Sequence, residues 1–152
     1  MAKKKQTQEV AYTPLSPVES IQAPVTKEKD LFDYILKYGT RVAKRVFSNN
    51  SGNVIYRVPA GRILFLLTAS ICADMTAGDY AKLYVTTGDQ VFLEVSSEPG
   101  STVLTSPVTQ EISFSIPLRI GSDEIIVGES TTSEAIHCIV GYEINATDIY
   151  SN

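Results

Sequence analysis

Apolar and polar residues alternate with a period of two from Arg41 onward, and glycine, proline and asparagine interrupt the alternation at short intervals. The clearest run is EISFSI at residues 111–116. Side chains of a strand point alternately to its two faces, so we expect Ile112, Phe114 and Ile116 to point into a core. A second run places five residues on one face, namely Ile136, Cys138, Val140, Tyr142 and Ile144. This pattern indicates short strands rather than helices.

We predict eight strands, at residues 41–47, 53–58, 62–72, 80–87, 90–95, 109–116, 123–128 and 135–144. Many short strands separated by turn residues are typical of a sandwich or a barrel. The prediction is an all-β fold: an antiparallel β-sandwich of the eight-stranded jelly-roll type over residues 41–152. Pro107 and Pro117 are expected to mark the ends of the strand at 109–116. The strand at 62–72 starts apolar on both faces, which predicts a central or covered strand.

Residues 1–29 have neither a helical nor a strand period, and they contain Pro14, Pro17 and Pro24. Proline favours extended backbone, so we predict an extended N-terminal arm. Apolar residues are nevertheless spaced along this arm, which is unusual for a simple linker. Spaced apolar anchors suit a segment that lies in a groove on a partner. The residues that we expect to contact the partner from the arm are Tyr12, Leu15, Val18 and Ile21.

Residues 30–40 predict one short amphipathic helix, with Asp30 as its N-cap and Gly39 as a left-handed stop. Leu31, Phe32 and Ile35 form part of its apolar side. A helix of this length needs tertiary packing to be stable in water. This side therefore packs either on the chain's own sandwich or on a neighbour, and we add these three residues to the predicted partner contacts.

Charge is distributed unevenly over the 152 residues. Residues 1–60 contain ten Lys and Arg against five Asp and Glu, whereas residues 61–152 contain three against twelve. A basic leading part could therefore dock on the acidic body of another copy, although a solvated tail is the simpler alternative. The acidic body would repel nucleic acid, and only Lys3, Lys4 and Lys5 form a basic run.

Candidate catalytic and metal-binding residues are few. His137 is the single histidine, and on a strand it points away from the adjacent Cys138, so the two cannot form a local nucleophile–base pair. Two distant cysteines and one histidine do not make a four-ligand zinc site. We therefore expect no enzyme activity, no metal and no cofactor, and we expect His137 to be structural or at the surface.

Cys72 and Cys138 both lie in apolar runs and are expected to be small buried residues with free thiols; a disulfide between them is the alternative. No apolar stretch is long enough to span a membrane, and no secretion signal is visible. Tyr56, Tyr80 and Tyr84 are weak candidates for stacking on a sugar, since the chain has no tryptophan.

Three short sequence segments resemble those of a known class of proteins: VPAGR at residues 58–62, PLRIGSDEI at 117–125 and IVGYEI at 139–144. Together they resemble the small β-sandwich structural proteins of tailed-phage virions, such as head-decoration, head-fibre-base and tail-associated subunits. The resemblance covers about the last 95 residues. It implies symmetric oligomers, arms that clasp neighbours, no catalysis, and a place in the virion after assembly in the host cytoplasm. It includes no site motif.

The leading hypothesis is a non-enzymatic structural subunit of a phage particle, whose partners are further copies of itself and other particle proteins. The alternative is a carbohydrate- or receptor-binding sandwich that is tethered by its arm. A small hydrolase ranks last, because a general base is missing.

Overall fold

The computed structural model describes residues 28–48, 52–97, 107–132 and 134–150, and the structural statements below concern these residues. The predicted arm lies outside them, except for residues 28 and 29. In chain order the elements are α1 Glu28–Tyr38, β1 Thr40–Ser48, β2 Asn53–Arg57, β3 Arg62–Ala73, β4 Tyr80–Val85, β5 Gln90–Ser96, β6 Val108–Ile120, β7 Ile125–Ser130, β8 Ala135–Asn145 and α2 Thr147–Tyr150. The eight predicted strands are confirmed, whereas α2 was not predicted.

The strands form two antiparallel four-stranded sheets. Sheet A has the order β1-β8-β3-β6, and sheet B has the order β2-β7-β4-β5. The pairs β1–β8, β2–β7, β3–β6 and β4–β5 are those of one long hairpin. The additional pairs β3–β8 and β4–β7 close that hairpin into a roll. This order is that of a jelly roll, so the predicted fold class is confirmed.

The main core lies between the two sheets and is formed by alternate residues of each strand. Leu64, Leu66 and Ile71 of β3 are completely buried there, together with Leu83 of β4 and Ile126 of β7. On β8 the core-facing set is residues 135, 137, 139, 141 and 143. The predicted set from Ile136 to Ile144 therefore lies on the outer face of sheet A.

Helix α1 covers one end of that outer face. Ile35 is 1% exposed and packs on Ile63 and Phe65 of β3 and on Ile144 of β8. This packing explains why β3 starts apolar on both faces. The apolar side of α1 was expected to pack either on the chain's own sandwich or on a neighbour. Its buried part packs on the chain's own sandwich. None of the helices in the described ranges has the length and apolar character that a membrane crossing requires.

The predicted ends of α1 need two corrections. The helix begins at Glu28, so Asp30 lies within its first turn and is not the N-cap. Gly39 follows the helix, as expected, but its φ angle is not in the left-handed region. Glycine is required there for space: a Cβ atom would lie 2.4 Å from the Ile35 carbonyl oxygen and 3.0 Å from the Cβ of Tyr142.

Strand β6 also differs from the prediction, because it continues through Pro117 to Ile120. Its register with β3 shifts between the pairs Leu66–Leu118 and Thr68–Ser113, so residues 114–117 bulge opposite the single residue Leu67. Bulges on edge strands tolerate proline because the missing N–H faces no partner. The bulge also breaks the alternation: Ile112 and Phe114 pack on the core as predicted, whereas Ile116 is 65% exposed.

The contact of α1 with sheet A can be tested by Ile35→Ala. We expect the free energy of unfolding to fall by about 2–5 kcal/mol, because a fully buried side chain leaves a cavity. Leu36→Ala, at the exposed neighbouring position, is the matched control and should change it by less than about 0.5 kcal/mol. Urea titrations that give equal losses for both variants would contradict this packing.

Candidate partner interface

An apolar groove of about 400 Å³ lies between the N-terminal half of α1 and the bulge of β6. Its lining consists of Leu31, Phe32, Ile35, Phe65, Ser115, Ile116, Pro117 and Arg119. We call it the α1–β6 groove. Helix α1 starts at this groove and leads directly to β1, which is the opposite edge of sheet A. The helix therefore crosses the sheet, and the arm joins the body beside the groove.

The predicted helix contacts all lie at this groove. Ile35 is buried in the chain's own structure and forms the floor with Phe65. Leu31 and Phe32 are half-buried and form a wall. The predicted arm contacts Tyr12, Leu15, Val18 and Ile21, and the basic run from Lys3 to Lys5, lie outside the described residues.

Sequence reasoning missed the wall on the β6 side. The alternation predicts that Ile116 points into the core and that Pro117 ends the strand, whereas the structure places both in the wall of the groove. A proline directly after an alternating run is the one signal that could have indicated a bulge. The groove itself depends on how α1 crosses sheet A, and no local pattern contains that information.

The single histidine lies between the sheets. His137 is completely buried, and its Nδ1 atom lies 3.2 Å from the hydroxyl oxygen of Ser48. The Ser48 hydroxyl is also 3.0 Å from that of Ser130, which donates to the carbonyl oxygen of Thr132 at 2.9 Å. All four residues are buried. A substrate has no access to this serine–histidine pair, so the cluster is structural.

Burial also determines the charge of His137. It lowers the pKa of the imidazole below the usual 6.5, opposed by nearby backbone groups of Glu129 and Lys82. The Nε2 atom has no hydrogen-bond partner of good geometry among the described residues. Gly128 makes room for the ring, since a Cβ atom there would lie 2.7 Å from the imidazole Cγ.

A second polar cluster ties the two sheets together near α1. The Tyr56 hydroxyl of β2 donates to Glu143 Oε2 of β8 at 2.5 Å, and Arg62 of β3 lies 3.3 Å from Glu143 Oε1. Burial, together with this hydrogen bond, raises the pKa of Tyr56 to about 12. Arg62 also donates to Asn145 Oδ1 at 2.9 Å and to Thr40 Oγ1 at 3.3 Å. These contacts join β2, β3 and β8, while the buried Nε atom of Arg62 has no hydrogen-bond partner among the described residues.

The tyrosines considered for sugar stacking are engaged as well. On the outer face of sheet B, Lys82 Nζ lies 5.4 Å from the ring centre of Tyr80 and 5.1 Å from that of Tyr84. The Tyr80 hydroxyl donates to Glu129 Oε1 at 2.5 Å, and Lys82 pairs with the same carboxylate at 3.5 Å. The lysine therefore occupies the ring faces on which a sugar would stack.

Both cysteines differ from the expected burial. Cys72 and Cys138 are half-exposed on the outer face of sheet A, and both thiols are free. In the ladder Cys72 is opposite Ile136, and Cys138 is opposite Ser70, so the two are diagonal neighbours on adjacent strands. They face outward because β3 and β8 direct their other faces into the sandwich. In the described part of the chain, no group of three or more His, Cys, Asp or Glu could hold a metal ion.

No family model matches this chain, and no curated protein matches its sequence. Among solved structures, it is similar to the acid-stable capsid of Helicobacter pylori bacteriophage KHP30, at 11% identity and a TM-score of 0.46 over 71% of this chain and 94% of that one. It is also similar to a pentameric capsid protein from metagenomic phage sequences, at 15% identity and a TM-score of 0.45 over 93% and 84%. Another structure of such a pentameric protein has 17% identity and a TM-score of 0.38 over 68% and 59%.

The first of these structures is a phage capsid, and the other two are phage capsid proteins. With TM-scores below 0.5, the similarities establish neither a shared site nor a shared mode of assembly.

The buried His137 predicts a pH dependence of stability. The folded chain binds a proton at His137 less readily than the unfolded chain does. The contribution of neutral His137 to stability is therefore fully present above pH 6.5, which is the pKa of histidine in the unfolded chain. It is lost as the pH falls through the lower pKa that His137 has in the folded chain. Because His137 is the only histidine, His137→Gln should remove this dependence between about pH 7.5 and pH 5. Chemical denaturation at several pH values measures it, and equal slopes for both proteins would show that His137 is not the cause.

Proposed function

We propose that this chain is a non-enzymatic structural subunit of a phage particle and that its N-terminal arm clasps a neighbouring copy. The observation that carries the proposal is the α1–β6 groove, an apolar docking site beside the point where the arm joins the body. The apolar side chains of the arm, Tyr12, Leu15, Val18 and Ile21, would occupy the groove of the neighbour.

The chemistry of the groove suits such an occupant. Leu31, Phe32, Ile116 and Pro117 offer apolar walls, and Phe65 and Ile35 form an apolar floor. Burying an apolar side chain in such a site contributes roughly 1.5–3 kcal/mol. Several anchors on one tether also raise the effective concentration of each. An arm with spaced apolar residues is therefore a better match than a uniformly polar ligand.

The arm is long enough to reach a neighbouring copy. Residues 13–27 contain three prolines and separate the anchor Tyr12 from α1. In an extended conformation, this segment reaches about 45 Å. A four-stranded sheet, with strands spaced about 4.8 Å apart, is only about 20 Å wide. The arm is therefore long enough to cross an adjacent subunit.

The polar clusters support a structural role. The buried Ser48–His137 pair is closed to substrates, and Glu143 bonds to both Tyr56 and Arg62. Lys82 covers the tyrosine rings that a glycan-binding sandwich would present. We therefore do not extend the proposal to a carbohydrate-binding module. The proposed location is the virion, with copies of the same chain and other particle proteins as partners.

Light scattering of the full chain and of a chain that starts at Lys27 tests the arm. We expect the full chain to have a multiple of the 16.6 kDa monomer mass. The shortened chain should dissociate at concentrations where the full chain stays assembled, because it lacks the anchors. The cut must spare α1, since its removal would uncover Ile63, Phe65 and Ile144.

A matched pair of variants separates anchoring from charge. Leu15→Asp with Val18→Asp should weaken the assembly as much as the truncation does. Ser16→Asp with Ser20→Asp adds the same two charges at polar positions and should leave the mass unchanged. A full chain that is monomeric at every concentration would overturn the proposal; an assembled chain that is indifferent to the arm would overturn the clasping role.

A further inference from the structure

The four edge strands form two opposite sides of the sandwich. Strand β1 of sheet A and β2 of sheet B lie together on one side, and β6 and β5 lie together on the other. We call these the β1/β2 side and the β5/β6 side. Their composition differs in two independent respects, charge and exposed apolar residues.

The β1/β2 side is basic. Its cations are Arg41, Lys44, Arg45 and Arg57, all of them exposed, and neither strand contains an Asp or a Glu. Lys44 lies over the ring of Tyr56 at 5.6 Å, and Arg45 lies over that of Phe47 at 5.3 Å. No carboxylate in the described ranges forms an ion pair with any of the four. Their charge is therefore not neutralised within this part of the chain.

The β5/β6 side is acidic. Glu94 on β5 and Glu111 on β6 are exposed, and Asp89 lies in the turn that leads into β5. Arg119, beside the α1–β6 groove, is the one cation on these two strands. The two sides thus have opposite net charge and are separated by the width of the molecule.

Exposed apolar residues follow the same two sides. Among the described residues, the large apolar side chains that remain exposed are Leu36, Tyr38, Phe47, Val54, Val91 and Ile116. Phe47 and Val54 lie on β1 and β2, and Leu36 and Tyr38 lie at the end of α1 that leads into β1. Val91 and Ile116 lie on β5 and β6. Exposed apolar residues that concentrate on particular surfaces indicate an interface.

Two copies cannot join their β1/β2 sides without bringing exposed cations together. A contact between unlike sides combines attraction with apolar burial. Building on the proposed self-assembly, we propose that copies of this chain associate head to tail, with the β1/β2 side of one against the β5/β6 side of the next. Such a contact is heterologous and repeats from copy to copy, so it makes a ring when its rotation closes and a filament when it does not.

Charge reversal on each side tests the inference. Arg41→Glu, Lys44→Glu and Arg45→Glu together make both sides acidic, and Glu94→Lys with Glu111→Lys makes both sides basic. We expect each of these two variants alone to have the monomer mass. An equimolar mixture of the two should reassemble, and so should a chain that carries all five substitutions, because opposite charges then meet again.

Asp33→Lys with Asp148→Lys is the matched control, since it reverses two exposed charges on the helices and leaves the four edge strands unchanged. It should keep the wild-type mass, and thermal melting confirms that each variant is folded. Raising the salt from about 0.05 M to about 0.5 M should lower the assembled fraction of the wild type.

The outcomes separate the two proposals. A monomeric wild type overturns the proposed function, and the head-to-tail contact with it. If the wild type assembles and both charge-reversal variants keep its mass, only the head-to-tail contact is overturned. The same holds if both variants dissociate but neither the mixture nor the fivefold variant reassembles.

Discussion

The pairing of β3 with β8 is the contact on which the rest of the structure depends. It joins two strands that are far apart in sequence, from the pair Arg62–Asn145 to the pair Ala73–Ala135, and it closes the long hairpin into a roll. Its inner face supplies core residues such as Leu64 and Ile139. Its outer face is the platform on which Ile35 of α1 packs. Without this pair, neither the core nor the seat of the helix would exist.

Polar groups inside the sandwich are arranged to hold the two sheets together. Ser48 and His137 of sheet A meet Ser130 of sheet B, and Glu143 of sheet A meets Tyr56 of sheet B. Buried polar groups are tolerated when they bond to one another, and such groups favour one register over its alternatives. Serine, histidine and glutamate also occur in catalytic sites. Here these residues are buried, so their role is to hold the two sheets together.

The proposed function therefore depends on the exposed surfaces of the sandwich and not on its buried polar groups. The α1–β6 groove is apolar and lies where the arm joins the body, whereas the two edge sides differ in charge and expose apolar residues. The groove suits an extended segment, and the edges suit a rigid neighbour. A subunit that uses both gains a specific contact from the edges and added strength from the arm.

The sequence by itself determined the strands, the helix and the fold class, because alternation, turn residues and helical spacing are local signals. It also indicated the apolar arm and the side of α1 that packs. Only the tertiary structure decided that Ile116 is exposed, that Cys72 and Cys138 face outward and that His137 is buried. The strand pairing settles these positions: β6 bulges opposite Leu67, and β3 and β8 have one face inside the sandwich and the other outside. The groove and the two charged sides likewise arise from residues that are distant in sequence, and the roll alone brings them together.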